Sequence, residues 1–170
     1  MMEFFAWLEQ LPFSVWVRES GSIWAFPTVL FLHTLGMSMV AGGNAAIDLV
    51  ILGVWPKAAI KPLERLFPLM WWGFWINAVT GTIMLMIDAT TKLTNWDFGV
   101  KMAFVFLGIW VLRLMQRRVF DDPELDQRPV SGIAKQLAWA SLICWFCAIT
   151  AGRLLAYVGP VSGAPGASNN

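Results

Sequence analysis

LFPLMWWGFWINAVTGTIMLMIDA, residues 66–89, carries no charged side chain before Asp88. An α-helix rises ~1.5 Å per residue and pairs its backbone groups internally, so about 20 such residues cross the hydrocarbon of a bilayer. Residues 66–89 therefore read as a membrane span. Three further runs have the same character: 23–55, 98–115 and 136–158. The first is longer than a span requires and is expected to project past the hydrocarbon at its Asp48 end, with Pro56 as its stop. The fold class expected is all-α integral membrane: a four-transmembrane-helix bundle over 21–158.

Composition agrees. Of the 170 residues 58% are hydrophobic and 14% charged, with a mean hydropathy of +0.62. Soluble domains are typically about 45–50% apolar and about 25% charged. The 11 Trp suit the headgroup boundary. Trp75, Trp110 and Trp145 sit deeper and are expected to meet lipid or a partner helix. A net charge of +1, with the basic residues in short loops, provides no field for nucleic acid. Residues 1–20 mix Phe4, Phe5, Trp7, Leu8 and Leu11 with Glu3, Glu9, Arg18 and Glu19, which reads as an N-terminal amphipathic helix lying in the interface. No basic n-region or cleavage site marks a signal peptide there. Residues 159–170 (GPVSGAPGASNN) have the composition of a disordered tail.

Lys and Arg set the orientation. The loops after the first and third spans, with Arg113 snorkelling to the same side, hold eight (Lys57, Lys61, Arg65, Arg113, Arg117, Arg118, Arg128, Lys135). The other side holds four (Arg18, Lys92, Lys101, Arg153). The basic loops are thus expected in the cytoplasm and both termini in the periplasm of a bacterial inner membrane.

Ionisable and polar residues inside a span are costly and mark candidate sites. At 100° per residue, His33, Met37, Val40, Asn44 and Asp48 share one face of the first span, and Gly73, Asn77, Thr80, Met84 and Asp88 one face of the second. These faces are expected to meet in the bundle core, with Gly36, Gly42, Gly43, Gly73 and Gly81 permitting close approach. Asn44, Asp48, Asp88 and Arg113 form the expected intramembrane polar network, with Asp88 level with Arg153 and Asp48 level with Arg113.

His33, roughly 15 Å from Ile23 and the one histidine of the chain, could bind a haem iron, carry a proton or bond a quinone carbonyl. The bland alternative is a neutral imidazole bonded to a neighbour such as Asn77. Arg153 could neutralise a haem propionate and Met84 could oppose His33 as a ligand. The cofactor-binding candidates are therefore His33, Arg153, Asn77 and Met84, with haem b or quinone as the cofactor and no other metal. Cys144 and Cys147 form a C-x-x-C within an apolar run and read as buried thiols. Nothing resembles a P-loop, a dinucleotide fingerprint or a hydrolase motif, so no catalytic residue is expected.

His33-Thr34-Leu35-Gly36, Asp48-Leu49 and Gly152-Arg153-Leu154-Leu155-Ala156-Tyr157 resemble elements of a little-characterised bacterial family of small four-helix membrane proteins, over about Trp24 to Tyr157. More loosely, the layout is similar to small membrane cytochromes b. The resemblance implies the fold and no established activity. The function expected first is a membrane subunit of a bacterial redox complex that anchors partner subunits and binds quinone or haem b near His33. A cofactor-free structural subunit is the alternative, and small-solute or ion transport by an oligomer the third.

Overall fold

In the computed structural model, residues 2–123 and 125–158 are described, and they are helical with turns between. Residues 1–20, expected to be an amphipathic stretch divided by Pro12, form two short helices, α1 (Met2–Glu9) and α2 (Pro12–Glu19). Pro12 separates them: its fixed φ suits the first position of a helix and its missing N–H cannot continue one. The tail 159–170 lies outside the described residues.

Four helices are long and apolar enough to cross a membrane. The first, α3 (Phe26–Ile51), is shorter than expected at both ends. After Leu52 the chain reverses at Gly53, whose φ of +87° is costly for any residue with a Cβ. Starting at Phe26 also moves His33 to roughly 10 Å from the helix start at ~1.5 Å per residue, nearer the end where the termini emerge than mid-membrane. A 3₁₀ turn, Lys61–Arg65, leads into α4 (Leu66–Met86). The second apolar run then breaks at Asp88 (φ −152°, ψ 46°), and Ala89–Thr94 forms the separate α5.

Helix α6 (Trp96–Met115) starts with the Asn95 side chain accepting from the Asp97 amide at 3.0 Å, an N-cap. It runs on through a wide turn, Gln116–Phe120, into what the sequence reads as loop. Ser131 caps α7 (Gly132–Val158) by accepting from the Ala134 amide at 3.1 Å, so α7 takes in Lys135.

Helix α3 packs on α4 and on α7, and α7 packs on α6, giving two hairpins joined along α3 and α7. Lipid tails are as apolar as leucine, so close packing and interhelical hydrogen bonds must hold such helices together. The tightest approach is at Gly36 and Gly73. A Cβ on Gly36 would stand 2.6 Å from the Gly73 carbonyl oxygen, and one on Gly73 would stand 2.6 Å from Met39 Cβ. Trp145 lies flat against Gly108 in the same way on the α6–α7 side, so it is buried. Trp75 and Trp110 face outward with Trp72, Phe106 and Phe146, as lipid-facing side chains do.

The apolar core gathers at the basic-loop end around Ile47, Ile51, Phe67, Met70, Met115 and Phe120. Phe67 and Phe120 meet edge to face, with centroids 4.8 Å apart. The two loops are clasped there: Asp126 accepts from the backbone amides of Ile60 (2.7 Å) and Lys61 (3.1 Å), and Lys61 Nζ donates to the Phe120 carbonyl. At the opposite end α1 lies on α5, and Glu9 Oε1 accepts from the Thr90 amide (2.7 Å) and hydroxyl (2.6 Å).

Candidate functional site

The polar faces of α3 and α4 meet, and His33 stands at their contact. Its Nδ1 is 3.1 Å from Thr80 Oγ1. The Thr80 hydroxyl donates its only hydrogen back along α4, to the Ile76 carbonyl at 2.6 Å and more weakly to Asn77 at 3.3 Å. It can therefore only accept from the imidazole, which fixes the proton on Nδ1 and leaves the Nε2 lone pair free. Asn77 Nδ2 donates to the His33 backbone carbonyl at 2.8 Å, and Gly81 brings α4 against the ring, where a Cβ would lie 3.1 Å from Cε1. One edge of the imidazole is thus locked on α4.

Two lysines complete the cluster. Lys92 on α5 reaches back to the Met84 carbonyl at 2.7 Å and lies 3.8 Å from Asp88. Burial pushes its ammonium below the ordinary lysine range, with Asp88 opposing. Lys101 on α6 lays its stem along Gly152 of α7, where a Cβ would be 3.4 Å from Cε. Both lysines belong to the end of the bundle that holds His33. Among the described residues Lys101 forms no ion pair or hydrogen bond. Lys101 lies five residues into α6, roughly 7–8 Å below its start, at nearly the level of His33.

The remaining candidates divide. Asp88 pairs with Lys92, whereas Arg153 is exposed at the end of α7. Arg113 lies over the Trp71 ring at 4.7 Å, a cation–π contact in place of the pairing expected from its level with Asp48. Asn44 and Asp48 are fully buried in the basic-loop half and meet Ser141 of α7. The polar network is therefore two clusters: His33, Asn77, Thr80, Lys92 and Lys101 towards the termini, and Asn44, Asp48 and Ser141 towards the loops.

Met84 follows Thr80 by one turn on the same side of α4, the side already taken by Nδ1. The Met84 carbonyl accepts from Lys92 Nζ at 2.7 Å. Among the described residues no three His, Cys, Asp or Glu group to hold a metal ion. Cys144 is a buried free thiol and Cys147 a partly buried one. A surface pocket of about 470 Å³ lies on the loop side between Lys61, Glu64, Arg65 and Asp126, away from every candidate residue.

Sequence reading missed Ser141, although a serine on an alanine-rich face (Ala134, Ala138, Ala148) of an apolar helix is a signal. It counted Lys92 and Lys101 as interfacial charges. Only the break at Asp88 turns Lys92 back towards Met84, and only the packing of α6 on α7 lays Lys101 along Gly152. No protein-family model, curated protein or solved structure matches the chain.

Proposed function

We propose that this multi-pass membrane protein is a subunit of a redox complex and holds the head group of a quinone in the cluster at the termini end of the bundle. The observation that carries the reading is that His33, with Nδ1 held on Thr80 Oγ1, stands at nearly the depth of Lys101, whose ammonium forms no ion pair among the described residues. A bound quinone supplies two-electron, two-proton chemistry together with a partner's redox centre. This chain's residues bind and orient. Lys101 donates to a carbonyl oxygen, and Nε2 accepts from the hydroxyl of the reduced form. Thr80 keeps the imidazole in the tautomer that this requires. The level suits the ligand, because a quinone head group resides near the upper hydrocarbon, where His33 and Lys101 lie. An Nδ1–H held by Thr80 with Nε2 left to accept is equally the state of a histidine that ligates iron, so the absorption spectrum decides between quinone and haem b.

We place the protein in a bacterial inner membrane with the basic loops in the cytoplasm, on the Lys/Arg bias, which puts the cluster in the periplasmic half. Partner subunits would dock on the outward aromatic face of α4, where Trp72, Trp75 and Val79 are exposed. A cofactor-free scaffold would use the same face.

The test is a quinone extraction and a reduced-minus-oxidised absorption spectrum on detergent-purified protein isolated with its native partners. The expected result is close to one quinone per chain, reduced several-fold in His33→Leu and Lys101→Met, with no haem b band. A stoichiometric haem b band lost in His33→Leu would put haem in place of quinone. Neither cofactor would leave the scaffold.

A further inference from the structure

At the basic-loop end, the outer surface of the bundle carries an arginine that no acid balances. Arg113 belongs to the last turn of α6, inside a membrane span, and its guanidinium lies 4.7 Å from the centre of the Trp71 ring on α4. Helix α4 packs on α3 and α6 on α7, without close packing of α4 on α6. The arginine therefore reaches across an open side of the bundle, from one hairpin to the other. Trp71 is the sixth residue of α4, roughly 7–8 Å in from the helix start at ~1.5 Å per residue. The charge is thus held inside the span, instead of snorkelling out to the level of Glu64 and Arg65 in the loop.

A guanidinium at that depth is costly unless an anion meets it. Among the described residues no carboxylate pairs with Arg113. Asp48 is fully buried, Glu64 pairs with Lys61 at 3.2 Å, and Asp126 accepts from the Ile60 and Lys61 amides. The Trp71 ring supplies no hydrogen-bond acceptor to the five N–H donors of the exposed Arg113. Arg117 follows four residues on and is likewise exposed, in no ion pair among the described residues. At 100° per residue Phe106, Trp110 and Arg113 fall in a stripe about 60° wide, which Arg117 continues. Phe106 and Trp110 are 65% and 60% exposed. The stripe has the polarity of a phospholipid lying along the bundle, apolar towards the bilayer centre and cationic towards its surface. Guanidinium groups match phosphate with paired hydrogen bonds, and basic sites between spans at the cytoplasmic surface suit anionic headgroups. Two uncompensated cations favour a headgroup with net negative charge over a zwitterionic one, whose own amine would oppose them. We propose that Arg113 and Arg117 bind the phosphate of an anionic phospholipid, with its acyl chains along Trp110 and Phe106. The site lies at the opposite end of the bundle from His33 and does not depend on what that cluster binds.

The experiment is thermal unfolding of the detergent-purified full chain at matched ionic strength. The micelles carry phosphatidylglycerol, phosphatidylcholine, or no lipid with inorganic phosphate added. A ligand that binds only the folded state raises the melting temperature saturably. The expected result is a saturable rise with phosphatidylglycerol, a several-fold smaller one with phosphatidylcholine and none with inorganic phosphate. Arg113→Gln should abolish the rise and Arg117→Gln should reduce it several-fold. Lys135→Gln, which removes a charge at the same end of the bundle, should leave it unchanged. Equal rises with the two lipids, or the same rise with inorganic phosphate, would overturn the proposal. So would a phosphatidylglycerol rise that Arg113→Gln and Arg117→Gln leave unchanged, or one that Lys135→Gln lowers as much as they do. Arg117→Gln alters an exposed side chain in no ion pair, so it keeps the test decisive if Arg113→Gln does not fold.

Discussion

Gly36→Ala should separate α3 from α4 and destabilise the bundle, whereas Gly42→Ala on the same helix should not. At Gly36 the added Cβ would stand 2.6 Å from the Gly73 carbonyl oxygen and 2.9 Å from the Asn77 amide nitrogen. Both are backbone atoms of a helix, so no side chain can swing aside. Ordinary carbon contacts begin near 3.5 Å, so the helices must part by about 0.9 Å. Overpacking of this kind typically costs about 1–3 kcal/mol. In a membrane the loss falls on the term that holds helices together, since burial of apolar surface adds little there. At Gly42 a Cβ would meet nothing within 4 Å, and replacing a mid-helix glycine by alanine should gain about 0.5–1 kcal/mol. The assay is unfolding of the purified protein by SDS in mixed micelles, followed by tryptophan fluorescence. The two variants should fall on opposite sides of the wild type, separated by about 1.5–4 kcal/mol. A Gly36→Ala protein as stable as Gly42→Ala would refute the close crossing of α3 and α4. The same variant should also loosen His33, because Asn77 is among the atoms displaced.

Two further perturbations have definite signs. Glu9→Ala removes the acceptor of the Thr90 amide and hydroxyl; it should cost about 1–2 kcal/mol and raise hydrogen exchange in α1 and α5 while leaving α6 and α7 protected. Lys92, held below the ordinary lysine range mainly by burial, binds fewer protons folded than unfolded between its folded value and the usual value of about 10.4. Stability should therefore rise with pH across that interval. Lys92→Gln should lose this rise, which SDS unfolding at a series of pH values from neutral to about 10 would register.

Hydropathy made the spans legible, because the membrane imposes a length and a composition that no tertiary detail overrides. The faces of α3 and α4 were legible for a related reason. Polar and small residues recurring at helical spacing have few places to go in lipid, and Gly36, Gly73, His33 and Thr80 do meet. What escaped depended on single backbone events and on partners distant in sequence. The α4–α5 break occurs at Asp88, within a run that reads as continuous, and it turns Lys92 back towards Met84. Depth alone suggested pairing Arg113 with Asp48, yet an arginine can as well lie over an aromatic ring, and Trp71 is nearer at hand. Ser141 gave no sign of lying against Asn44, because which face of α7 turns to α3 is set by packing, not by its own sequence.

The central claim is that the cluster of His33, Thr80 and Lys101 holds a quinone head group. Photolabelling of the purified protein with a short-chain azidoquinone, followed by peptide mapping, addresses it most directly. The expected result is saturable labelling confined to α3 around His33 and α6 around Lys101, suppressed by excess unlabelled quinone and lost in Lys101→Met. Labelling spread over the outward faces at Trp72, Trp110 and Phe146, unchanged by competitor and by Lys101→Met, would contradict it.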